Sequence, residues 1–134
     1  MSSRHCGAVV FVLTLLIATG AFAQQKPTRL ETAQWAAGIN AQSPAGREWK
    51  ELHGEAIGKQ LVPVLNKCLP EGGDEVTAFS VFLRLSRTGR VAEVLTDLDE
   101  ASVGACMTLA ATDLQLPRPP RDDYWFQLNL AAPL

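Results

Sequence analysis

At 134 residues, with 47% apolar residues and a formal charge of −2, the chain has material for one domain with its own core and too little for two. Its Lys and Arg residues gather in no run or patch, which argues against nucleic acid and anionic lipid surfaces as partners. Low-complexity tracts and internal repeats are absent, so the composition is that of a folded chain.

The first segment in chain order reads as an address. Arg4 and His5 precede an almost unbroken apolar run from Ala8 to Thr19, and Gly20-Ala21-Phe22-Ala23 ends it. Small residues at Ala21 and Ala23 form the A-x-A pattern of a secretory signal. The run is roughly half of the ~20 residues needed to span a bilayer. The expectation is therefore a signal at 1–23, cleaved after Ala23, with no stable membrane insertion afterwards and a periplasmic product. Cys6 lacks a lipobox and would leave with the signal. Removing Arg4 from the 12 basic residues leaves 11 against 14 acidic ones, a net charge of −3. Export also leaves two cysteines, Cys68 and Cys106, in an oxidising compartment where a disulfide is the expected state.

A partly helical N-terminal segment is expected at 24–42, followed by the main domain at 43–134. Residues 24–31 are polar and read as loose. Thr32 to Ala41 is Ala-rich, with Trp35 and Ile39 four apart, and reads as a short helix packing on that face. Ser43-Pro44 restarts a helix, Ser as the N-cap and Pro at the first helical position. Its stripe would hold Trp49, Leu52, Ala56, Leu61, Val64 and Cys68, with a kink or break at Gly58 and Pro63. Leu69-Pro70-Glu71-Gly72-Gly73-Asp74 ends it.

Val76 to Leu85 alternates as a strand, with Phe82 breaking the pattern on its polar face. Ser86-Arg87-Thr88-Gly89 is a turn with Gly where positive φ is needed, and Arg90 to Thr96 returns. Asp97 or Asp99 can cap a helix to about Asp113, its buried stripe including Val103, Cys106, Met107 and Ala110. Leu116-Pro117-Arg118-Pro119-Pro120 must be extended. Asp123 to Leu130 is a last strand, Tyr124, Phe126, Leu128 and Leu130 on one face and Trp125, Gln127 and Asn129 on the other.

The fold class is therefore α+β: N-terminal helices, then a β-β-α-β unit with a three-stranded sheet. A helical crossover makes the second and third strands run the same way and allows the order second, first, third. The helices would pack on one face.

The stretch V-T-A-F-S-V-F-L-R-L-S-R-T-G-R-V-A-E-V-L, the Cys106 helix and L-P-R-P-P…Y-W-F-Q-L-N-L resemble the C-terminal domain of TonB-type energy transducers. The periplasmic AgmX/PglI-like variants, with one Cys before the hairpin and another in the helix, are nearer still. The resemblance covers about residues 64–131 and implies a last strand with a free edge, to which a partner peptide adds as a further strand. It lacks the long Pro-rich spacer of a force transducer, so an accessory or adaptor role fits better. Tyr124, Trp125, Gln127 and Asn129 are the partner-binding candidates it implies, and an exposed edge also allows a homodimer.

Other constellations are weak. His53 stands two residues from Glu51 and Glu55, where metal ligands on one helical face need spacings of three or four. Asp97, Asp99 and Glu100 lack the Gly and terminal Glu of a calcium loop. No serine has a nucleophile-elbow context, and Cys68 and Cys106 are too far apart for a C-x-x-C centre. No cofactor or enzymatic activity is expected, and the partner would be an envelope protein. Alternatives are a structural envelope protein without a ligand, or a small exported hydrolase using His53. Arg84, Arg87 and Arg90 crowd the turn, as a solvated cluster or an acidic-partner surface.

Overall fold

The structure, a computed structural model, describes residues 25–69, 78–98 and 101–131. The signal expected at 1–23, the expected Pro70-to-Asp74 turn, the first residues of the expected Val76 strand and the possible Asp99 cap lie outside them. The order is α1 (Arg29–Gln42), α2 (Pro44–Asn66), β1 (Ala78–Leu85), β2 (Val91–Thr96), α3 (Ala101–Ala111) and β3 (Tyr124–Ala131). This is an α+β domain built on a three-stranded antiparallel sheet in the order β2-β1-β3. β2 and β3 both pair antiparallel to β1 and so run the same way, as the crossover helix requires.

α1 begins earlier than its hydrophobic spacing suggests. Thr28 and Glu31 form a capping box, each side chain taking the other's backbone N–H, which satisfies two donors that a helix start leaves orphaned. Residues 29–31, expected to be loose, are therefore its first turn. Ser43 then serves two helices. Its N–H closes α1 on the carbonyls of Ile39 and Asn40, and its hydroxyl caps α2 at the Gly46 N–H, with Pro44 at the first helical position.

α2 is continuous over 23 residues, with no break at Gly58 or Pro63. Pro63 removes one ladder hydrogen bond, but it lies on the exposed side of the helix with Lys59 and Gln60. The buried stripe is Gly46, Trp49, Ile57, Leu61 and Leu65. Ile57, absent from the expected stripe, is fully buried, whereas Leu52 is 69% exposed.

That stripe, with Val103 and Met107 of α3, covers one face of the sheet through Phe79, Val81, Leu83, Val94, Tyr124, Phe126 and Leu130. Trp49 sits at its upper end, 5.3 Å from the Tyr124 ring and 5.2 Å from Phe126 in edge-on contact. Its indole N–H donates to the Arg118 carbonyl. Cys68 and Cys106 are bonded, 5.6 Å apart at Cα, and join the end of α2 to α3.

The helices do not keep to one face. α1 crosses the opposite side, where Ala33 and Ala37 pack on Phe82 and Trp125, with Leu30, Ala36 and Leu95 around them. Phe82 and Trp125 are diagonal neighbours on that face, since Arg84 pairs with Trp125 and Phe82 with Gln127. Small alanines let the helix backbone come close to the two large rings. The face of α1 turned to the protein is thus Ala33, Ala37 and Asn40, while Trp35 is 72% and Ile39 44% exposed. This reverses the expected orientation of the helix.

Gly89 has φ +84° in the hairpin turn, and a Cβ there would stand 2.1 Å from the Leu116 carbonyl oxygen. The turn and the Pro-rich segment meet face to face: Leu116 N–H donates to the Gly89 carbonyl. Only glycine fits both the dihedral and the approach.

Candidate functional site

Ladder alternation decides which main-chain groups of the sheet are free. Asp97 N–H donates to Ser80 O, so the even-numbered residues of β1 face β2. The odd ones, Val81, Leu83 and Leu85, face β3 at Leu128, Phe126 and Tyr124. The main chain of Trp125, Gln127 and Asn129 therefore points outward from the sheet, along the β3 edge. On the far side, Val94 points outward from β2.

Each edge is stoppered once by a polar side chain. On β2 the Thr108 hydroxyl of α3 meets both groups of Val94, accepting from its N–H at 3.0 Å and donating to its carbonyl at 3.1 Å. On β3 the Asn40 amide donates to the Trp125 carbonyl at 2.8 Å. Asn40 is the one buried polar residue among those described, at 3% exposure, and its side-chain Oδ1 accepts from Arg121. Such plugs block edge-to-edge pairing. Beyond Asn40 the β3 edge is open, and among the described residues no strand covers Gln127 or Asn129.

The four candidate residues of β3 thus divide. Tyr124, at 3% exposure, and Trp125, at 7%, are buried on opposite faces of the sheet; with Trp125 under α1, neither ring presents a surface in this conformation. Gln127 is half-buried and Asn129 exposed. Their side chains are tied together, Gln127 Nε2 donating to Asn129 Oδ1 at 2.9 Å and Ser80 Oγ to the same oxygen at 2.8 Å. What they leave free is backbone.

A cavity of about 110 Å³ opens beside this edge, between α1 and α2. Ala37, Gly38 and Ala41 line it from α1, Gly46 and Lys50 from α2, and Tyr124 to Gln127 with Asn129 from β3. Sequence reasoning missed both walls. The signal was present in the small residues spaced along α1 and in Gly46, but it needs the knowledge that two helices straddle one strand.

Of the arginines of the turn, Arg84 finds acidic side chains within the chain. Arg84 pairs with Glu93 at 3.3 Å and Asp123 at 3.0 Å, and Arg29 also pairs with Glu93. Both guanidinium groups stand over the Trp125 ring, at 5.7 Å for Arg29 and 6.0 Å for Arg84. Arg87 N–H donates to Asp122, and Arg90 donates to the Asp113 carbonyl. The Arg29–Glu93–Arg84 group fastens the start of α1 to the sheet.

The Arg29 hydrogen bond, aided by the charges of Arg29 and Arg84 and opposed by burial, holds the Glu93 carboxyl below its ordinary range. A depressed carboxylate stabilises the fold above its unfolded value of about 4.3. The contribution is lost as pH falls through the lower folded value. Glu93→Gln should therefore flatten the fall of Tm below about pH 4.3. Thermal melts across that range check this, and an unchanged acid limb would show that the Arg29–Glu93–Arg84 contacts carry no such linkage.

His53 has the Trp49 ring at 6.0 Å and, among the described residues, no hydrogen bond to a hydroxyl or carboxylate. No group of three His, Cys, Asp or Glu side chains that could hold a metal occurs among the described residues. None of the described helices is long and apolar enough to cross a membrane. No family model, no curated protein and no solved structure matches this chain.

Proposed function

We propose that this is an exported, periplasmic accessory or adaptor domain that binds a protein partner by adding an extended segment to the edge of β3. The observation that carries this reading is the outward-facing main chain of Gln127 and Asn129, paired with no strand among the described residues, beside a groove between two helices. Strand addition draws affinity from main-chain hydrogen bonds and specificity from pockets beside the strand, and this edge has both. The disulfide and the lack of a membrane-spanning helix among the described residues suit an exported protein. So does the resemblance of the hairpin, the Cys106 helix and the last strand to TonB-type C-terminal domains.

Site-specific photo-crosslinking from Gln127 in cells, with mass spectrometry of the envelope fraction, tests the reading. One discrete adduct with another envelope protein is the expected result. Adducts only with a second copy would replace the adaptor with a homodimer built on this edge. No adduct at all would remove β3 as a docking edge.

A further inference from the structure

Resting on the strand-addition reading, we infer that the β3 edge takes the free C-terminal end of its partner, running antiparallel to β3, with Lys50 receiving the terminal carboxylate.

The groove has one closed end. An added strand would place an N–H at hydrogen-bond distance from the Trp125 carbonyl, and that position is already filled by the Asn40 amide at 2.8 Å. Behind it stands the α1–α2 corner, where Gly46 is pressed so tightly on Asn40 that a Cβ would lie 1.8 Å from the Asn40 carbonyl oxygen. A peptide can enter past Ala131 and pair with Asn129 and Gln127, but it cannot continue past Trp125. A through-running loop is thereby disfavoured, and a chain terminus suits the site.

Charge selects which terminus. Lys50 lines the groove one turn along α2 from Gly46, which is pressed on Asn40 at the closed end; it is exposed and forms none of the ion pairs among the described residues. An ammonium there repels an N-terminal amine and attracts a carboxylate, and charge-assisted contacts are about twice as strong as neutral ones. With the carboxylate at the Trp125 end and the peptide entering from the Ala131 end, its direction must oppose that of β3. The cavity of about 110 Å³ walled by Ala37, Gly38 and Ala41 has room for one small apolar side chain, which fits the last residue.

Two random heptapeptide phage libraries, selected on the purified protein with its disulfide intact, test this. One displays the heptapeptides at a free C-terminus and the other displays them internally. The expected result is enrichment from the free-end library alone. Binding of the matching synthetic peptides should fall about tenfold, or 1.4 kcal/mol, both on C-terminal amidation and in Lys50→Gln. Amidation leaves the protein untouched, so that result stands even where the variant misfolds. Clones from the internal library that crosslink to Gln127 with equal affinity would overturn the terminus while leaving strand addition standing. No clones from either library would overturn both, and sedimentation showing the edge occupied by a second copy would overturn the peptide as occupant.

Discussion

Gly46→Ala should destabilise the fold by about 3 kcal/mol, the upper end of what overpacking costs, although alanine is the better helix former. The added Cβ would stand 1.8 Å from the Asn40 carbonyl oxygen, 2.8 Å from its carbon and 2.8 Å from the Ser43 hydroxyl. Two of these atoms are backbone, so no side-chain rotation relieves the clash. The corner between α1 and α2 must open, and the Ser43 cap of α2 and the Asn40 plug on Trp125 both depend on that corner. Gly58→Ala is the control in the same helix, since nothing lies within 4 Å of its Cβ position. It should be neutral or stabilise by up to about 1 kcal/mol. Urea unfolding of both variants separates local helix preference from the clash. Equal midpoints would show that the corner does not depend on the close approach. With the plug withdrawn, Gly46→Ala should also self-associate more readily, because the open edge lengthens to include Trp125.

The elements legible in the sequence are those whose signals are local. Ser43-Pro44 marks a helix start because both features act within one turn. Gly89 marks the hairpin because the dihedral is a property of that residue. The alternation from Phe79 to Leu85 and from Tyr124 to Leu130 assigns one core face correctly, and the crossover rule yields the strand order. The cysteine pair followed from counting. What misled was the second face. Phe82 breaks the alternation of β1, and Trp125 stands on the less apolar side of β3. Each alone reads as an irregularity or an exposed anchor. They are one cluster, and the sign of it lies some forty residues or more upstream, in Ala33 and Ala37 rather than in Trp35 and Ile39. A large residue is the wrong marker where a helix must approach two rings closely, because alanines make that interface possible. The same long-range dependence hid the site. That Asn40 seals the Trp125 carbonyl is a relation across 85 residues, and nothing near Asn40 announces it. Lys50 reads as a solvated charge on α2 until β3 is placed beside it.

Removing the disulfide should cost about 4 kcal/mol by the chain-entropy relation for a separation of 38 residues. That is a large share of the roughly 5–15 kcal/mol by which domains are stable. The bond joins the end of α2 to α3, so its loss frees the end of a helix that is otherwise held by Leu61 and Leu65 in the core with Val103 and Met107. Urea midpoints with and without a thiol reductant give the magnitude, and a Cys68→Ser/Cys106→Ser variant should be insensitive to the reductant. Identical midpoints in the oxidised and reduced protein would show that core packing alone fixes α2. The position of the bond separates stability from binding. α3 lies against β2, its Thr108 hydroxyl on Val94, while the open edge belongs to β3 on the other side of β1. The Asn40 plug and the Lys50 rim come from α1 and from the first turns of α2, at the opposite end of that helix from Cys68. At a temperature where the reduced protein remains folded, crosslinking from Gln127 should therefore persist at the oxidised level. A loss of crosslinking ahead of unfolding would mean that the staple reaches the edge through the length of α2, and would make the redox state of the cysteine pair a control on binding rather than on stability alone.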